Sequence, residues 1–98
     1  MNVEFDDRSL DDLEVNPKAR TRYSDAVVRG FRKAMQAIRA ASDERDLYQL
    51  RGLRFEKLQG KRQHQHSLRI NDQWRLIVEV RGTGRDKRIG VVEIADYH

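Results

Sequence analysis

The chain of 98 residues contains no cysteine, a single proline and a single tryptophan. Without cysteine there is no disulfide framework and no thiolate metal site. No stretch approaches the roughly 20 consecutive apolar residues that a membrane helix needs, so no membrane partner is expected. No apolar segment follows a basic start, as a secretion signal would require. A soluble, cytoplasmic protein is therefore the expectation. There are no repeats, no low-complexity segments and no nucleophilic Cys or Ser motif. Gly82-Thr83-Gly84 reads as a turn, not a phosphate loop, because no helix follows it. His64 and His66 stand two apart, but no third ligand lies at useful spacing. Neither a metal nor a cofactor is implied.

Charge is what the chain has in plenty. Charged residues make up 37% and hydrophobic residues 38%, with a net charge of +4. That is enough for one domain over residues 1–98, with a thin core and a crowded surface. The distribution says more than the total. Residues 1–16 hold six acids and one base, whereas residues 50–98 hold eleven bases and six acids, a local balance of +5. A positive field in the C-terminal half favours an anionic partner.

Val3-Glu4-Phe5 alternates like a short strand, and Ser9 can cap a helical turn over Leu10 to Leu13. Asn16-Pro17 reads as the start of a long helix running to about Ala40, with Asn as cap and Pro in the first turn. Its apolar stripe is Tyr23, Val27, Gly30, Phe31, Ala34, Met35, Ile38 and Ala41. Arg22, Arg29, Arg32, Lys33 and Arg39 lie opposite, as a solvated face. Ser42 begins a short helix to about Tyr48, and Gly52 breaks the chain. Leu53 to Leu58 makes a mediocre strand. Gln65 to Ile70, Trp74 to Arg81 and Lys87 to Ala95 make three better ones. The order β-α-α-β-β-β-β, with short turns between the late strands, predicts an α+β fold: an antiparallel sheet with an N-terminal helical layer packed on one face.

Ser67 to Val78 is the most informative stretch. Centring the turn on Asp72 sets Ile70 opposite Trp74 and Leu68 opposite Leu76 on a core face, and Arg69 opposite Arg75 on the other. A two-residue turn would mix the faces, so the pattern selects an odd loop length. Like charges facing each other across a sheet destabilise it. Either they splay into water or are neutralised by Glu56, Glu79 or Glu93, or they form a cleft for an anion, to which guanidinium groups are suited. The chain then ends in Asp96-Tyr97-His98, three side chains able to handle protons or stabilise an oxyanion.

The run Leu68-Arg69-Ile70-Asn71-Asp72-Gln73-Trp74-Arg75-Leu76, the preceding Arg54-Phe55-Glu56-Lys57-Leu58-Gln59-Gly60 and the ending Asp96-Tyr97-His98 resemble the HigB-type toxins of the RelE/ParE superfamily. The resemblance implies the toxin of a type II toxin–antitoxin pair, with a HigA-type helix-turn-helix antitoxin, operator DNA being reached only through their complex. It further implies metal-independent cutting of ribosome-bound mRNA, the 2′-hydroxyl attacking the neighbouring phosphate. Carried over by position, Arg75 contacts the scissile phosphate and Asp96, Tyr97 and His98 form the catalytic cluster. Arg54, Lys57, Lys61, Arg62 and Arg69 are the candidate phosphate binders around them. Two positions depart from the pattern: Glu56 stands where a histidine is frequent, and Gln59 where a base is common. Glu56 is open to two readings, an acid that repels phosphate or the base of the reaction. Two alternatives to the nuclease stay open: a ParE-like gyrase poison and a catalytically impaired antitoxin-binding module.

Overall fold

The computed structural model describes residues 1–97. Strand β1 (Asn2–Phe5) leads into helices α1 (Arg8–Val15), α2 (Asp25–Ala40) and α3 (Arg45–Tyr48), followed by strands β2 (Glu56–Lys57), β3 (His66–Arg69), β4 (Trp74–Arg81) and β5 (Arg88–Asp96). The five strands form one sheet in the order β1-β5-β4-β3-β2. The α+β architecture with helices on one face is as the sequence predicts. The expectation of an antiparallel sheet holds for β2 to β5, whereas β1 joins the edge in parallel with β5.

The helix boundaries differ from those expected, for local reasons. Asp7 rather than Ser9 caps α1, its carboxylate accepting the Ser9 backbone N–H at 2.8 Å. Asn16 closes α1 instead of opening α2. Preceding a proline it is extended, with φ −103° and ψ 108°, and its N–H bonds back to the Asp12 carbonyl. The long helix therefore begins one cap later. Ser24 accepts the Val27 N–H, and Asp25 sits in the first turn, where the helix dipole favours an acid.

Val27, Phe31, Ala34, Met35 and Ile38 of α2 face Leu68, Leu76, Val78, Ile89 and Val91 of the sheet in one hydrophobic cluster. Not all the bases on the far side of α2 are solvated. Arg32 donates to the carbonyls of Leu13 and Asn16, and Arg39 forms a two-pronged pair with Glu14, so both tie α2 to α1. Gly30 sets how closely α2 approaches β3. A Cβ there would lie 2.5 Å from the Ile70 carbonyl oxygen and 2.6 Å from its side chain.

At the β1 end of the sheet, Arg81 reaches across β5 to Glu4 and Asp6 and also pairs with Glu79. It passes over Gly90, where a Cβ would overlap its guanidinium. Arg88 pairs with Glu4 and Asp86. The N-terminal acids thus fold back onto the bases of β4 and β5.

Gly30→Ala separates packing from helix propensity. Propensity alone favours alanine by about 1 kcal/mol, but overpacking against β3 costs roughly 1–3 kcal/mol. Urea unfolding should show a net loss of stability; an unchanged or raised midpoint would show that α2 is free to move away.

Candidate functional site

The β3–β4 hairpin builds the site. Its register pairs His66 with Val78, Ser67 with Ile77, Leu68 with Leu76 and Arg69 with Arg75. The loop has three residues, the odd length that the hydrophobic pattern selects. Asn71 holds it, its side-chain oxygen accepting the N–H groups of Gln73 and Trp74, while Ile70 N–H donates to the Trp74 carbonyl. Leu68, Ile70 and Leu76 bury on the helix side, which turns Arg69 and Arg75 to the other face.

The two arginines do not oppose each other freely. Arg69 is drawn onto Asp72 in the loop. Arg75 lies low against the sheet, its side chain 12% exposed. One guanidinium nitrogen donates to the Ser67 hydroxyl at 2.9 Å and to the Arg54 carbonyl at 2.7 Å. Its Nε is buried without a hydrogen-bond partner among the described residues. Among the described residues the nearest carboxylate, Glu56, is 3.9 Å away and mostly exposed. Burial pulls the Arg75 pKa below its ordinary value, Arg54 and Arg69 acting the same way while Glu56 and Tyr97 oppose it. The result is a fixed, under-neutralised cation with a spare donor.

Arg54 takes part through its backbone. Residues Arg51–Leu53 form a 3-10 turn, and Arg54 follows in the left-handed region with φ 45° and ψ 56°. For a side chain other than glycine this costs about 1–2 kcal/mol. The expected strand over Leu53 to Leu58 is thereby shortened to Glu56–Lys57. Phe55 anchors the segment, stacked on His66, whose Nε2 lies 3.1 Å from the Tyr48 hydroxyl.

Tyr97 arrives by means of an irregularity. Ile77 pairs with Glu93 but Val78 pairs with Val91, so Val92 is an extra residue in β5. Before the bulge, Ile89 and Val91 face the helices; after it, Ile94 does, and Ala95 comes beside Arg75. Tyr97 therefore shares the Arg75 face. Its N–H donates to the Gln73 carbonyl, which binds the end of β5 to the hairpin loop.

These residues surround a cleft of about 540 Å³ lined by Arg51, Gly52, Arg54, Arg69, Asn71, Asp72, Arg75 and Tyr97. Among the described residues, four arginines face one carboxylate. Of the expected site residues, Arg54, Arg69, Arg75 and Tyr97 come together. Asp96 pairs with Trp74 on the helix side and accepts from the Gln73 side-chain amide at 3.1 Å; strand alternation puts it on the face opposite Tyr97. Lys57 lies across from His66 on that same helix side. Lys61 is exposed on a separate 3-10 turn. Arg62 bonds to Gln65 and Glu93. His98 lies outside the described residues. Arg51, Ser67 and Asn71 were not among the expected residues. Arg51 and Arg54 on either side of Gly52 are a visible signal, but nothing in the sequence marks Arg54 as left-handed. No cluster suited to a metal ion occurs among the described residues.

The family model for the RelE-like toxin HigB of type II toxin–antitoxin systems matches residues 3–98. The chain belongs to that HigB-like toxin family. Membership makes it the toxin of a toxin–antitoxin pair and implies an antitoxin partner. Among solved structures, a YoeB/ParE toxin from Agrobacterium tumefaciens shares the HigB-like fold with a TM-score of 0.60, at 20% identity and over 100% of both chains. No curated protein matches the sequence. No helix among the described residues is long and apolar enough to cross a membrane.

Arg54→Gly tests the cleft's construction. It keeps the carbonyl that holds Arg75, relieves the left-handed strain and removes one cleft charge. The unfolding free energy should stay level or rise by up to about 1 kcal/mol, glycine's greater unfolded-state freedom offsetting part of the gain. Phosphate titrations should show weaker binding. A clear loss of stability would contradict the geometry described.

Proposed function

We propose that this toxin is a ribosome-dependent mRNA endonuclease. The observation that carries the reading is Arg75: a buried guanidinium whose Nε has no partner among the described residues, at a cleft they line with three further arginines. Such a group is pre-organised for the anionic phosphorane, because it needs no reorganisation as charge develops.

In the proposed reaction the ribose 2′-oxygen loses its proton to a base and attacks the adjacent phosphorus. The bond from phosphorus to the 5′-oxygen breaks, and that oxygen takes a proton. The products are a 2′,3′-cyclic phosphate and a 5′-hydroxyl end. Arg75 holds the non-bridging oxygens, with Arg69 and Arg54 at the rim. We assign the base to Glu56, which is exposed, pairs with Ser67 across the sheet and lies 3.9 Å from Arg75. Tyr97 orients the nucleotide and can donate a proton. His98 remains a candidate for proton transfer. Asp96 serves as a positioning residue that ties the strand end to Gln73. Lys57, Lys61 and Arg62 lie outside the cleft and take no part in the reacting centre. The partner we propose is a HigA-type helix-turn-helix antitoxin, the site of action being the cytoplasm, where ribosomes translate.

Expression of the chain alone in bacteria, with mapping of mRNA 5′ ends, tests this. New ends should appear inside translated coding regions as growth stops. Arg75→Ala, deletion of His98 and Glu56→Gln should each lower cleavage by about 10²-fold or more while antitoxin binding persists. Full toxicity of Arg75→Ala would remove the proposed site. DNA damage with intact mRNA would indicate a gyrase poison, and antitoxin binding without any toxicity an inactive module.

A further inference from the structure

A second hollow adjoins the first. It is a groove of about 570 Å³ between α2 and the segment after α3. Ala37, Leu53 and Ile70 give it an apolar floor, and Leu50 stands 45% exposed beside them. Lys33, Arg51 and Arg69 supply positive charge, and among the described residues no carboxylate lines it. Arg51, Gly52 and Arg69 border both hollows, so groove and cleft meet at Gly52.

Gly52 is the informative residue. Its backbone is not in the left-handed region, and a Cβ built on it would meet no atom within 4 Å. Neither conformation nor packing demands glycine, in contrast to Gly30 on the same groove. What the missing side chain leaves is bare backbone at the junction, where a longer residue would stand in the passage.

We infer that groove and cleft form one track for single-stranded RNA, the groove receiving the nucleotide next to the reacting phosphate. This rests on the reading of the cleft as an RNA site. The base lies on the apolar floor and the next phosphate lies at Lys33. A positive rim follows the backbone phosphates of a single strand, and the aliphatic floor covers one face of a base by removing it from water. A duplex does not fit the arrangement, since its bases are stacked inward and do not reach such a floor.

The test uses 2′-O-methyl oligonucleotides, which lack the attacking hydroxyl, bound to the full chain at several salt concentrations. Antitoxin binding is measured in parallel. Passing from a dinucleotide to a tetranucleotide should tighten binding about fivefold or more. Gly52→Leu should erase that gain and leave antitoxin binding unchanged, and Lys33→Ala, at a residue that lines the groove alone, should leave dinucleotide binding unchanged. Lys33→Ala should reduce the slope of log affinity against log salt by about 0.7, the share of one phosphate. The inference is overturned if tetranucleotides bind no better than dinucleotides, if Gly52→Leu keeps the gain, or if it weakens antitoxin binding instead. Arg75→Ala must weaken the dinucleotide. If it does not, the cleft reading falls as well, whereas a failure confined to Gly52→Leu and Lys33→Ala overturns the track alone.

Discussion

Burial works against the charge of Arg75, and the surrounding chain holds that charge in place without neutralising it. A guanidinium sunk against a sheet needs its donors satisfied or its charge paired. Arg75 has two oxygen acceptors on one nitrogen, a distant exposed carboxylate and a bare Nε. The rest of the site follows from keeping it so. Ser67 is buried beneath it, the Arg54 carbonyl is brought over it by a strained backbone, and Asp72 draws Arg69 aside. An anion entering the cleft completes a set of bonds that the protein alone leaves open.

The sheet divides its charges by end. At the β1 end, Arg81 and Arg88 meet Glu4, Asp6, Glu79 and Asp86. At the hairpin end, four arginines share Asp72 and the outlying Glu56. The N-terminal acids thus cancel positive charge where it has no role in the cleft, and the uncancelled remainder gathers at the loop. Two backbone irregularities convert this into a site. The extra residue at Val92 reverses which side chains of β5 face the helices and so delivers Tyr97 beside Arg75. The left-handed turn at Arg54 ends the 3-10 segment and brings Arg51 and Arg54 to the rim.

The hairpin was legible because period-two alternation, an odd loop and two arginines leave one register that buries Leu68, Ile70 and Leu76 together. The apolar stripe of α2 was legible for the same kind of reason. Its start was not, since Asn16-Pro17 and Ser24-Asp25 are both good caps, and only the extended backbone forced before proline decides between them. The parallel pairing of β1 was hidden because it joins the two ends of the chain, beyond the reach of local pattern. The expectation for Asp96-Tyr97-His98 treated neighbours as one cluster, although alternation along a strand sends Asp96 and Tyr97 to opposite faces. Arg51 escaped notice because its place depends on the conformation of Arg54.

In this site the donor that receives phosphate is the Arg75 Nε–H, which the other described residues leave unbonded. The most direct measurement follows the arginine Nε–H resonances by NMR as a non-cleavable ribodinucleotide is added. The Arg75 Nε–H should move downfield and exchange more slowly with water as the site fills, ahead of the exposed arginines. An Arg75 signal that stays fixed while others shift would contradict the account and place the phosphate elsewhere.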